Sequence, residues 1–199
     1  MKNRSDLAEM IKNAGILFAI TLIAGLVLGF VNELTKEPIA YQQELKVQKA
    51  CAAVFAEAAS FEALPGEGGN MEDGVKIGTI YKAFGEDGTL LGYVIHTASS
   101  EGYGGNITMM MGVKLDGTVN GISLLEIAET PGLGMQAEDV LVPQYAEKNV
   151  TSFLYTKTGA MNDNEIDAIS GATMTTAAVN SAVNGGLTYF HNVLKEGGN

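Results

Sequence analysis

The stretch Asp167-Ala168-Ile169-Ser170-Gly171-Ala172-Thr173-Met174-Thr175-Thr176 contains the start of a helix, and the rest of the chain is organised around it. Ser170 suits the N-cap, because its hydroxyl can accept a hydrogen bond from a backbone N–H at the second or third helical position, and Thr173 then stands at the third. The N–H groups of a first turn are unpaired and favour an anion, and the small residues Gly171 and Ala172 leave room for a phosphate. Two further hydroxyls follow on Thr175 and Thr176. The stretch therefore predicts either an ordinary Ser-capped helix or a phosphate-binding turn.

The residues after Thr173 have the periodicity of an amphipathic helix. Apolar side chains recur at helical spacing and are expected to face a core: Val179, Val183, Leu187, Phe190 and Leu194. Gly185 and Gly186 weaken the middle of this helix by roughly 1 kcal/mol each relative to Ala. The helix is predicted to close the domain.

Upstream of this helix the pattern predicts two β-hairpins. Strands over 78–84 and 90–98 flank Gly85-Glu86-Asp87-Gly88, and strands over 107–115 and 119–126 flank Asp116-Gly117. A helix interrupted or ended near Pro143 is expected over 136–147, and short strands over 151–157 and 165–169. These elements predict the α+β class, with an antiparallel sheet and segregated helices.

Two glycine-rich loops stand beside the strands. Gly102-Tyr103-Gly104-Gly105 precedes the third predicted strand, and Glu129-Thr130-Pro131-Gly132-Leu133-Gly134 follows the fourth. Glycines permit a positive φ and a close approach of backbone to a ligand. Neither loop matches a dinucleotide fingerprint or a P-loop. Each loop alone is explained as a turn, but together with the Thr-rich helix start they predict one shared site for an anion or a ring.

An apolar segment lies near the N-terminus. Residues 14–31 (AGILFAITLIAGLVLGFV) carry no charge over eighteen positions, and a helix of that length is about 27 Å long, enough for a thin hydrocarbon core. A buried soluble helix and a cleaved signal peptide are the alternatives, but Phe30-Val31-Asn32-Glu33 is a poor cleavage site. We expect a single retained transmembrane helix over 14–32. Basic residues in 1–13 favour a cytoplasmic N-terminus, which places the main domain outside the cytoplasm.

The segment between this anchor and the strands is expected to form a stalk helix and a linker over 33–74. Pro38 suits the first turn of a helix that runs to about residue 61. Residues 64–74 (LPGEGGNMEDG) are rich in Gly and Pro and predict a boundary. The main domain is then expected over 75–195.

Composition excludes several classes of function. The net charge is −11, and residues 50–199 hold six Lys and Arg against eighteen Asp and Glu, so that nucleic acid is repelled. Cys51 is the one cysteine, which excludes an internal disulfide. The two histidines, His96 and His191, are far apart in sequence, and no Cys–His cluster predicts a metal site.

Taken together, these motifs resemble the RnfG family, the FMN-binding subunits of the Rnf electron-transport complex, which is a membrane ferredoxin:NAD oxidoreductase. The resemblance covers nearly the whole chain: the anchor, residues 32–39 (NELTKEPI), the GYGG loop, ETPGLG and DAISGAT. It implies FMN joined through its phosphate to Thr173 as a phosphoester. It also implies that a separate flavin transferase recognises a motif that begins at Asp167. Thr175 is the rival attachment residue.

The same resemblance implies contacts around the cofactor. Three residues are expected to hydrogen-bond the phosphate: Ser170, Thr175 and Thr176. Others are expected along the cofactor and near its ring: Gly171, Ala172, Glu129, Thr130, Gly132, Leu133, Tyr103 and Gly104. No metal and no catalytic side chain is expected.

The function implied is electron relay through FMN within a membrane-bound, ion-translocating complex, with the other Rnf subunits as partners. Alternatives are an NqrC-like subunit of the sodium-pumping NADH:quinone oxidoreductase, which shares the SGAT pattern and the anchor, and a membrane-anchored binding or assembly module without redox work. The subunit is not expected to be active alone.

Overall fold

The computed structural model describes residues 2–65, 68–69 and 74–195, with side chains from residue 9 onward. The chain divides into two compact units, Met1–Leu45 and Lys46–Asn199. Part of the predicted linker, namely 66–67 and 70–73, lies outside the described residues, as does Met1 of the predicted N-terminal segment. The domain limits given above stay a prediction.

Helix α1 spans Lys2–Val54 and forms the described part of the first unit. Its apolar side chains from Met10 to Val31 are exposed, although such residues normally avoid water. It is the one described helix that is long and apolar enough to cross a membrane, as expected for residues 14–32. Pro38 lies inside α1, so the expectation that it begins a separate helix is wrong.

Five antiparallel strands in chain order form the sheet of the second unit. They are β1 (Ser60–Ala63), β2 (Val75–Phe84), β3 (Leu90–Ser99), β4 (Ile107–Lys114) and β5 (Val119–Glu126). Both predicted hairpins are confirmed, because Asp-Gly turns reverse the chain with the twist that paired strands need. The helix predicted to reach residue 61 ends at Val54 instead, and β1 follows because residues 60–63 pair with β2.

Two short helical turns and one short helix follow the sheet, and they replace the one regular helix expected over 136–147. They are a 3₁₀ turn (Gly134–Gln136), α2 (Ala137–Val140) and a second 3₁₀ turn (Val142–Tyr145). Strands β6 (Leu154–Thr156) and β7 (Glu165–Asp167) form a separate parallel pair. These elements hold the segment that leads into the last helix.

Helix α3 (Thr173–Tyr189) covers one face of the sheet and continues into a π-turn over Phe190–Leu194. Its predicted core residues Val179, Val183 and Leu187 are fully buried, and each such side chain stabilises the fold by about 1.5–3 kcal/mol. Packing explains why a glycine occupies position 186 in the middle of the helix, since a Cβ there would clash with Met111 Cε. The opposite face of the sheet packs against Ala50, Cys51, Val54 and Phe55. The antiparallel sheet with segregated helices is confirmed.

Candidate functional site

A cleft of about 550 Å³ lies between the two glycine-rich loops and the start of α3. Ten residues line it: Tyr103, Glu129, Thr130, Leu133, Gly134, Gly171, Ala172, Thr173, Met174 and Thr175. Its volume is within the range of about 300–1,000 Å³ that is usual for small-molecule and cofactor sites. The sequence therefore identified the three segments that meet here, although they are far apart along the chain.

Helix α3 begins at Thr173, two residues later than an N-cap at Ser170 predicts. The N-cap is Ala172, without a side-chain hydrogen bond, so the expectations of a Ser170 cap and of Thr173 at the third position are wrong. Ser170 is exposed and does not line the cleft. The first helical hydrogen bond runs from the N–H of Thr176 to Ala172 O at 3.0 Å. Within the described residues, the N–H groups of Thr173 to Thr175 have no acceptor, which makes this turn suitable for an anion.

The side chain of Thr176, inside the helix, makes hydrogen bonds to the backbone of the turn before the helix, where the N-cap residue makes no side-chain hydrogen bond. Its fully buried Oγ1 accepts from the N–H of Ile169 at 3.1 Å and donates to Ala172 O at 3.0 Å. Gly171, in the loop between these contacts, has a φ of +77°, which favours glycine. The Thr176 hydroxyl is thus occupied in shaping the loop, which differs from the expected contact with a phosphate.

The loop after β5 packs closely against this turn. Thr130 O accepts from the N–H of Leu133 at 3.1 Å, and Gly132 has a φ of +76°, as in a type II turn with Pro131 at its second position. The side chain of Leu133 packs against Gly171: a Cβ added at Gly171 would lie 3.1 Å from Leu133 Cδ2.

Gly134 lies where this loop meets the first turn of α3. A Cβ at Gly134 would stand 2.5 Å from Thr175 Oγ1 and 2.9 Å from Glu129 Oε2. Real Cβ atoms do not approach other atoms so closely. Gly134 is therefore required for the two segments to approach each other.

Glu129 joins the two glycine-rich loops. Its side chain is only 7% exposed, and its Oε1 accepts from the N–H of Gly104 at 3.3 Å. The backbone of Gly104 lies so close to Ala128 O that a residue with a Cβ does not fit at position 104. Glu129 is the one charged residue among the ten that line the cleft, while Tyr103 and Met174 leave much of their surface exposed at its edge.

Asp167 lies outside the cleft, on the segment that leads into it. Its N–H donates to Gln144 Oε1 at 2.6 Å, and its carbonyl oxygen accepts from Gln144 Nε2 at 3.1 Å. Its Oδ1 accepts from the N–H of Ala160 at 2.7 Å. Gln144 thereby holds the exposed Asp167 in a fixed place before α3.

Comparisons with known proteins show the family of this chain. The family model of an FMN-binding domain matches residues 102–188, and that of the RnfG N-terminal region matches residues 1–54. The RnfG subunit of the Na⁺-translocating ferredoxin:NAD⁺ oxidoreductase complex of Acetobacterium woodii is 32% identical, over 98% of both chains. The chain belongs to the RnfG family. Another relative is the equivalent subunit of the proton-translocating complex of Clostridium ljungdahlii, which is 30% identical over 86% of this chain and 90% of its own.

The fold of this RnfG-family chain also occurs outside its family. The crystal structure of Shewanella oneidensis NqrC superposes on this chain with a TM-score of 0.52 and 20% sequence identity. The match covers 71% of this chain and 72% of the NqrC chain. That likeness concerns the fold. The predicted membership is confirmed by sequence, because the RnfG relatives match at higher identity and over most of the chain.

Eight of the twelve predicted cofactor-binding residues line the cleft in this RnfG-family chain, and four do not. Gly104 and Gly132 shape the two loops, while Ser170 and Thr176 belong to the turn before and within α3. Sequence reasoning missed Met174 and Gly134 as lining residues, although both lie inside motifs already singled out. No group of His, Cys, Asp and Glu within the described residues is arranged to hold a metal ion.

Proposed function

We propose that this chain relays electrons as the flavin-carrying subunit of a membrane-bound, ion-translocating ferredoxin:NAD⁺ oxidoreductase complex, with FMN joined by a phosphoester to Thr173. The observation that carries the proposal is the position of Thr173. It is the first residue of α3, and it lines a cleft within the region matched by the FMN-binding domain. Relatives that belong to such complexes support the setting.

The residues of the cleft fit FMN. A phosphoryl group on the Thr173 hydroxyl would be held by the unpaired N–H groups and the positive end of the α3 dipole, which would stabilise its charge. Gly171 and Ala172 leave space there, and apolar surface for a ring is offered by Leu133, Tyr103 and Met174. Bound FMN supplies reversible electron transfer, and the chain supplies position and electrostatics.

Maturation and topology belong to the same proposal. A flavin transferase recognises the segment that begins at Asp167, which is exposed and held by Gln144. The helix with the 14–32 segment crosses the cell membrane once, the N-terminus is cytoplasmic, and the domain with the cleft is extracytoplasmic. The other membrane and peripheral subunits of the complex supply and accept the electrons.

Replacement of Thr173 tests the function in membranes. Thr173→Ala removes the attachment oxygen and is expected to abolish electron transfer from ferredoxin to NAD⁺ by the assembled complex. Lys157→Ala, at an exposed position that does not line the cleft, serves as the control and is expected to retain activity. A Thr173→Ala complex with normal activity contradicts the relay and favours a binding or assembly role.

A further inference from the structure

Glu129 is a buried carboxylate that pairs with no cation in the described part of the chain. It is only 7% exposed, and its Oε1 has one long hydrogen bond of 3.3 Å from Gly104. Among residues 9–65, 68–69 and 74–195, neither an ion pair to Glu129 nor a hydrogen bond to its Oε2 is formed. Burying a carboxylate costs free energy unless donors compensate it. The side chain lines the cleft, so a ligand bound there can supply a donor to it.

Gly134 allows the backbone to pass close to this carboxylate and to Thr175. Glu129 Oε2 and Thr175 Oγ1 lie within 2.9 Å of the point that a Cβ on Gly134 would occupy. A carboxylate is only an acceptor, whereas a hydroxyl both donates and accepts. A ligand group that accepts, or that carries negative charge, is therefore disfavoured next to Glu129 in the cleft, and a group that only donates is favoured there.

The cleft is consequently polarised. Unpaired N–H groups at the first turn of α3 favour negative charge, and Glu129 disfavours it. A ligand with a phosphate and an uncharged ring satisfies both with the phosphate at Thr173 and the ring near Glu129. The flavin ring has one N–H that is a donor only, the imide N–H between its two carbonyls.

We propose that Glu129 accepts a hydrogen bond from the imide N–H of the flavin and that its negative charge lowers the reduction potential of the cofactor. The inference rests on the proposed attachment of FMN to Thr173. Reduction adds negative charge to the ligand in the cleft, and a largely buried, negatively charged carboxylate beside it opposes that charge. Glu129 is thus a residue that determines both the orientation and the potential of the flavin.

Glu129→Gln tests the charge, because the amide keeps the size and an acceptor oxygen. The full-length chain is loaded by a co-expressed flavin transferase, loading is checked by intact mass, and the midpoint potential is measured by spectroelectrochemistry. We expect the ratio of reduced to oxidised flavin at a fixed potential to rise at least tenfold, which is about 30 mV for a two-electron couple. The matched control Glu138→Gln, on the exposed side of α2, is expected to keep the wild-type potential.

A Glu129→Gln potential equal to that of the Glu138→Gln control overturns the proposal. A second measurement needs no variant: in wild-type protein loaded with flavin labelled with ¹⁵N at the imide, the imide proton is expected to be protected from exchange. Exchange at the rate of free FMN contradicts the hydrogen bond. Wild-type chain without the mass of a flavin contradicts the proposed function instead, so the two failures are distinguished.

Discussion

Thr176→Val tests the role of the Thr176 hydroxyl in shaping the turn before α3. Valine keeps the shape of the side chain but removes Oγ1, and with it the hydrogen bonds to Ile169 and Ala172. The Ala172 carbonyl keeps its bond from the N–H of residue 176, so the main loss is the buried N–H of Ile169. An unsatisfied buried donor costs about 1–3 kcal/mol. In a domain of this size, 1 kcal/mol corresponds to about 2–4 °C in Tm.

The assay is thermal unfolding of the full-length chain in detergent, followed by circular dichroism. Thr175→Val is the matched control, because it makes the same exchange one residue earlier. The Thr175 hydroxyl faces the cleft and has no hydrogen bond within the described part of the chain, so its loss is expected to change Tm by less than about 2 °C. Equal Tm values for the two variants refute the assignment of Thr176 as the structural cap.

Two further predictions concern the sheet. Thr97 Oγ1 is buried and has no hydrogen-bond partner among the residues that the structure describes. Thr97→Val is therefore expected to raise the free energy of unfolding by about 1 kcal/mol, and an unchanged or lowered midpoint in urea contradicts this. Burial lowers the pKa of His96 below its usual value of 6.5, against the opposing charge of Glu126. Because His96 binds a proton more readily in the unfolded chain, its contribution to the stability of the fold is fully present above about pH 6.5 and is lost as the pH falls below that value. His96→Gln is expected to reduce the drop in Tm between about pH 7.5 and 5.5, and an equal drop in both proteins contradicts the assignment.

Local patterns predicted most of the sheet because its turns carry their own signals. Gly88 and Gly117 have φ values of +77° and +98°, and such residues can be recognised from sequence alone. The start of α3 could not be recognised in this way. The hydroxyl that organises the turn belongs to Thr176, seven residues beyond Ile169, and a rule based on the nearest Ser selects the wrong residue.

Pairing between distant segments explains the other differences. Residues 60–63 form β1 because they pair with the edge of β2, although the sequence continues the pattern of the preceding helix. The cleft was predicted as a set of motifs, but its tight contacts depend on Gly134, which admits both Glu129 and Thr175. Such a steric requirement is not visible until the two segments are placed together.

The measurement that tests the central claim most directly is intact mass with peptide mapping of the full-length chain, co-expressed with a flavin transferase. The account predicts a gain equal to FMN minus water on the peptide that contains Thr173, absent in Thr173→Ala and retained in Thr175→Ala. An unmodified Thr173 under these conditions, or a gain that moves to Thr175, contradicts the account. In the former case the turn before α3 is an ordinary helix start, and a binding or assembly role becomes the better explanation.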